Sequence, residues 1–197
     1  MFNHEARQLV MYTRKKVEDL FKAFPVPAHN IDHTDRVTEW ITKIAKAEHY
    51  DLMLAELAAL LHDIGRVAEF QNNPEKLRHH ELSYRLLQQW FEEDRYFDLL
   101  SAQEKDELLY AVRNHWDDAA EEQVLANILR DADKLDMYGK IGVQRAVEFH
   151  KIPKDISKNM KSNMESVKRI KTATAKQIVI KEKLLEPLKR WLQNYGS

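Results

Sequence analysis

The chain has 197 residues, 44% of them hydrophobic and 32% charged, with only 4 Gly and 5 Pro and no Cys. That length suits one hydrophobic core, and so little Gly and Pro disfavours a turn-rich β-sandwich and points to helices joined by short connections. A formal net charge of -1 gives no global pull toward nucleic acid or anionic membranes, and without cysteine a metal site has to be built from His, Asp and Glu.

The start of the chain, "MFNHEARQLV", carries charges where a signal peptide needs an apolar core, and no apolar run approaches the ~20 residues of a membrane span. The expectation is a soluble, cytoplasmic, all-α protein: a single helical domain over 1–197. Val10, Thr13, Val17, Leu20, Phe21 and Phe24 mark a first amphipathic helix, which the prolines of "PVPAHN" stop. In the second helix, with Asn30 as its N-cap, the stripe Val37, Trp40, Ile41, Ile44 places His33 one turn earlier on the inward face.

A third helix starts after the N-cap residue Asp51 and runs through "LAALLHDIGR" toward Gly65, which suits a left-handed C-terminal cap. This helix is apolar all round, yet it ends in His62 and Asp63. Buried imidazole and carboxylate groups are costly unless paired or ligating, so the doublet is a metal-site candidate. A fourth helix follows the loop "FQNNPEK", with His79, Leu82, Ser83, Leu86 and Trp90 in one phase and His80 one step off it. A fifth carries Leu108, Ala111, Val112 and His115 in phase.

In the sixth, "VLANILRDADKLDMYG", the stripe Leu125, Ile128, Leu129, Ala132, Leu135 sets Asp136 nearer its centre and Asp133 at its edge, so periodicity alone does not choose between them. From Lys151 the chain turns lysine-rich, reading as part helix and part mobile connection, and ends in an amphipathic helix with Leu184, Leu185, Leu188 and Trp191. Those lysines read first as a solvated face.

Inward histidines on four helices and inward aspartates on two are how helical bundles build sites for divalent ions. "IDHTDRV", "HDIGR", "RHHELS", "VRNHWDD" and "LRDADKLD", in that order, resemble the motifs of the HD-domain superfamily of metal-dependent phosphohydrolases, over a metal-site core of about 30–139 with a helical extension at 151–197. The resemblance implies an HD-type bundle with His33, His62, Asp63 and Asp133 as core metal ligands. His79 and His115 fall where two-metal members hold a second ion, with Asp63 bridging. His80 competes with His79, and helical phase favours His79.

The implied cofactor is one or two divalent ions of unspecified identity (Mn, Mg, Co, Ni, Zn or Fe), which acidify a water that attacks phosphorus. Arg36, Arg66 and Lys134 are the candidate phosphate-binding cations. Asp63, Asp136 and Arg66 are the candidate catalytic groups, with Asp136 able to orient a ligand histidine, take a proton or merely form a salt bridge. The implied substrate is a small phosphorylated molecule, a nucleotide or related metabolite, with no nucleic-acid or membrane partner expected and the oligomeric state open. No "GYP" follows the doublet and no "ED" pair stands shortly after it, where "IGRVAEF" is found instead. Two alternatives use the same scaffold: a di-iron oxygenase and a non-catalytic nucleotide-sensing domain.

Overall fold

The structure, a computed structural model, describes residues 4–26, 30–71 and 73–196. Among these it is all-α, with no strand. Pro27 of the first helix-breaking segment and Asn72 of the 70–76 loop lie outside the described residues.

Helix α1 (His4–Ala23) buries Leu9, Thr13, Val17 and Phe21, an i, i+4, i+8, i+12 stripe. Helix α2 (Ile31–Ala47) begins where the Asn30 side chain accepts a hydrogen bond from the His33 main-chain N–H at 3.3 Å. Helix α3 (Leu52–Leu61) is capped by Asp51, whose carboxylate accepts from the Leu54 N–H at 2.9 Å. Satisfying these otherwise orphaned N–H groups sets where each helix starts. Leu54, Ala55 and every residue from Leu57 to Leu61 are buried, because α3 is surrounded by α1, α2 and two later helices, α6 (Ala102–Asn114) and α7 (Val124–Asp136). The doublet at its end is thereby delivered into the interior.

The expected run of α3 to Gly65 is corrected. The α-helix stops at Leu61 and residues 62–65 form turns, after which a short helix α4 (Arg66–Gln71) appears that the sequence pattern did not indicate. Gly65 is not in the left-handed region; among the described residues that glycine is Gly139, with φ +69°. What Gly65 supplies is clearance: a Cβ there would stand 2.2 Å from the Ser83 N and 2.4 Å from the His79 O. The missing side chain lets the turn after α3 press against the first turns of α5 (His79–Glu93), where the Gly65 N–H donates to the Ser83 hydroxyl at 2.8 Å.

Past Gly139 the chain adds α8 (Gly139–His150), α9 (Pro153–Ser166), α10 (Ala173–Lys181) and α11 (Glu186–Tyr195). Helices α8, α9 and α11 pack on one another around a small core of Ala146, Ile156 and Met160 with Trp191 and Leu192 beside it. The lysine-rich region is thus mostly helical rather than part mobile connection, and Leu184 and Leu185 precede α11 instead of lying on it. Lys154, Lys158, Lys161, Lys176 and Lys181 are exposed, as a solvated face requires. The buried Asp131 carboxylate accepts the Lys171 and Thr172 main-chain N–H groups, tying the start of α10 to α7. Among the described residues no helix is long and apolar enough to cross a membrane.

Candidate metal centre

Four imidazoles from four segments meet in the interior, and in three of them the structure dictates which nitrogen faces inward. His62, just past the end of α3, folds back so that its Nδ1 lies 2.7 Å from the Ala59 carbonyl oxygen. His115, just past the end of α6, does the same with the Val112 carbonyl at 2.7 Å. A carbonyl only accepts, so each Nδ1 carries the proton and donates, and each Nε2 is a bare lone pair.

His33 reaches the same state through a carboxylate. Its Nδ1 lies 2.7 Å from Asp136 Oδ2, and Asp136 also accepts from Arg36 Nε at 2.6 Å and from Arg145 Nη1 at 2.5 Å. Burial opposes ionisation of Asp136, but the bonds from His33 and Arg36 and the charge of Arg145 outweigh it and hold its carboxyl below the usual range. His79, the first residue of α5, has its Nδ1 3.7 Å from Glu69 Oε2, and its main-chain N–H donates to Glu69 Oε1 at 3.1 Å.

The inward atoms form two groups. In one, a ligand atom from each of His33, His62 and Asp133 lies within 4.8 Å of the others; in the second the same holds for Asp63, His79 and His115. Asp63 stands between them. Its Oδ2 is 3.7 Å from His33 Nε2 and 3.6 Å from His62 Nε2, while its Oδ1 is 3.5 Å from His79 Nε2 and 3.9 Å from His115 Nε2. His33 Nε2 lies 3.3 Å from His62 Nε2 and 3.4 Å from Asp133 Oδ1. With Nδ1 as the protonated nitrogen, imidazole Nε2 lone pairs and carboxylate oxygens converge on the same small volume, an arrangement that a shared cation would favour.

The donor set, imidazole nitrogen plus carboxylate oxygen, suits a divalent transition metal or Mg. Burial pushes the His33 imidazole down to about 4, and burial with His62 alongside brings His115 to about 4. Burial takes His79 to about 2. All three are therefore neutral, the ligating form, at pH 7.

The other residues singled out from the sequence are placed as follows. His80 joins neither group; one position round the helix from His79, its ring stacks on Trp116 with centroids 4.7 Å apart. Asp136 lies behind His33 rather than among the facing acceptors, and its deeper burial is what the hydrophobic stripe registered. Arg66 Nε is 3.3 Å from Asp63 Oδ1, and its Nη1 donates to Glu69 at 3.0 Å. Arg36 is engaged with Asp136. Lys134, adjacent to Asp133, is turned about 100° round the helix, and its ammonium donates to Asp118 Oδ1 at 2.5 Å.

Two residues beside the centre went unnoticed in the sequence. Glu69 lay in "IGRVAEF", passed over because no acidic pair was present. Arg145 gave no signal, since it stands beyond the motifs. Next to the centre a cavity of about 330 Å³ is lined by Arg66, Asp133, Met137 and Arg145 and continues between α8 and α9.

The model of the HD domain family matches residues 30–138, more than half of the chain and the whole of this centre. The chain belongs to the HD domain family. Solved structures share the fold well beyond the matched segment. A predicted HD superfamily hydrolase from an uncultured Thermotogales bacterium is 26% identical, with 94% of this chain and 92% of that one covered and a TM-score of 0.69. Bacillus subtilis YpgQ in complex with ADP is 17% identical, with 96% and 94% covered and a TM-score of 0.71. An HD-superfamily hydrolase from Bacillus thuringiensis is 19% identical, with 97% and 96% covered and a TM-score of 0.71. No curated protein sequence matches the chain. The fold shared with those structures thus extends past the matched segment into α8 to α11.

Proposed function

We propose that this HD domain is a divalent-metal-dependent phosphohydrolase that cleaves a phosphate ester or anhydride of a nucleotide or related small metabolite. We take residues 1–197 as one HD-type unit, with the metal-site core at 30–139 and the extension at 151–197. The observation that carries the reading is Asp63, whose Oδ1 faces His79 and His115 of its own group while its Oδ2 faces His33 and His62 of the other. His33, His62, Asp63 and Asp133 would hold one ion, and Asp63, His79 and His115 a second. Divalent ions so held supply Lewis acidity and a water acidified toward neutral pH.

The protein's own part is to orient and to neutralise charge. Asp136, braced by Arg36 and Arg145, keeps the His33 ring in one tautomer and orientation. Glu69 braces Arg66, holding the guanidinium against the cavity, where it can meet a phosphoryl oxygen as charge builds there. Arg145 lines the same cavity. Binding of ADP by the similar YpgQ fold supports a nucleotide as the class of substrate.

Metal analysis of protein purified without chelator, followed by a screen of nucleotides and phosphate esters with Mn, Mg, Co, Ni and Fe, tests the reading. The expected result is bound divalent metal and metal-dependent phosphate release. Metal-loaded protein that consumes oxygen and releases no phosphate would instead identify a di-iron oxygenase.

A further inference from the structure

We propose that the cavity between α7, α8 and α9 is a nucleobase subsite whose hydrogen-bonding edge is the pair Asn159 and Asn163; this rests on the nucleotide reading above. One end of the cavity is lined by Arg66 and Asp133 of the metal centre, the other by Phe149, Asn159 and Asn163. A phosphate at the centre therefore has its attached group directed between α8 and α9, beyond the region matched by the family model. At about 330 Å³ the space falls at the lower end of small-molecule sites, which suits one nucleoside unit rather than a longer chain of them.

The chemistry of the far end follows from two hydrogen bonds. Asn163 Nδ2 donates to the Met137 carbonyl at 3.4 Å and to Asn159 Oδ1 at 3.2 Å. These bonds orient both carboxamides and leave the Asn163 Oδ1 acceptor and the Asn159 Nδ2 donor without a protein partner among the described residues. The two amides are four residues apart on one face of α9 and bonded to each other, so one free donor and one free acceptor belong to the same end of the cavity. A planar edge with an N–H next to a ring nitrogen or carbonyl complements such a pair, and every nucleobase has one. A sugar phosphate without a base does not. Met137, Ala146 and Phe149 give the same cavity an apolar wall, and Phe149, 48% exposed, offers an aromatic face to a flat ligand.

The test measures affinity of the full-length protein for adenosine monophosphate, guanosine monophosphate and ribose 5-phosphate by calorimetry, with hydrolysis of the same three followed separately. Either nucleotide is expected to bind at least about tenfold tighter than ribose 5-phosphate, the scale of leaving a paired donor and acceptor unmet. Asn159→Ala is expected to bring that ratio toward one through KM rather than kcat. Equal affinity of the wild-type protein for nucleotide and ribose 5-phosphate overturns the subsite, as does an unchanged ratio in a folded Asn159→Ala. Tight, base-dependent binding with no hydrolysis of these esters, or of the anhydride bonds of the corresponding di- and triphosphates, leaves the subsite standing and overturns the phosphohydrolase reading.

Discussion

The two halves of the metal centre use the same side-chain types but are braced differently. In the half made by His33, His62 and Asp133, both imidazoles have their Nδ1 tied at 2.7 Å, one to a helix carbonyl and one to a carboxylate clamped by two arginines. In the half made by Asp63, His79 and His115, only His115 is tied so closely; His79 faces Glu69 at 3.7 Å and is the more exposed imidazole, at 13% against 1% for His33 and His62. Since the partner behind a ligating histidine sets its orientation and basicity, on the proposed two-ion reading the first half is expected to hold its ion more firmly than the second.

Removing what the halves share is expected to have the largest effect. Asp63→Ala should abolish metal binding, and His62→Ala beside it should lose at least the first ion; both should cut phosphate release by at least about 10²–10³-fold, the scale of losing one preorganised electrostatic group. Full metal occupancy in either variant, read by elemental analysis, would sink the assignment. Because a ligand that binds only the folded state stabilises it by mass action, chelation of the wild-type protein should also lower its melting temperature.

His79→Ala and His115→Ala separate the halves. Each should lower the metal stoichiometry from about two toward one while most folding stability remains, and activity should fall more than the melting temperature does. A wild-type stoichiometry of one in excess metal would refute the second ion and leave these histidines to contact the substrate phosphate directly.

The bracing itself is sharpened by a pair of aspartates. Asp133→Asn should lose the first ion and activity, whereas Asp136→Asn should still bind metal, with affinity weakened about 10–100-fold because only the brace on His33 is gone. The reverse ranking in a metal titration would mean that Asp136 is the ligand. Glu69→Gln, the equivalent change in the looser half, should have a smaller effect on metal affinity, limited to the second ion, and should also weaken the brace on Arg66.

The smallest effect is the pH dependence of the metal-free protein. His33 and His115 are held down to about 4 in the fold, below the ~6.5 of an unfolded chain. Between those values the unfolded state binds more protons, so stability rises with pH across that window. It is fully present above about pH 6.5 and is lost as pH falls through about 4. Denaturant midpoints that stay level from pH 4 to 6.5 would show that these imidazoles are not desolvated as described.

From the residues alone, the all-α class, the caps Asn30 and Asp51 and the inward phase of His33, His79 and His115 were legible, because helical periodicity and capping are local and report burial directly. Ordered motifs went further and pointed to the family. Periodicity did not distinguish Asp133 from Asp136, since both lie toward the interior and they differ only in whether they face the imidazole lone pairs or stand behind His33. Nor did it show that Lys134 turns to Asp118, that Gly65 serves a close approach rather than a left-handed cap, or that Glu69, Arg145, Asn159 and Asn163 border the centre or its cavity. Those facts depend on distances between segments remote along the chain, such as Asp136 and His33 separated by 103 positions. Sequence fixes what each helix presents to its own inward face, whereas only the packing of α2, α3, α5, α6 and α7 decides which atoms on those faces meet.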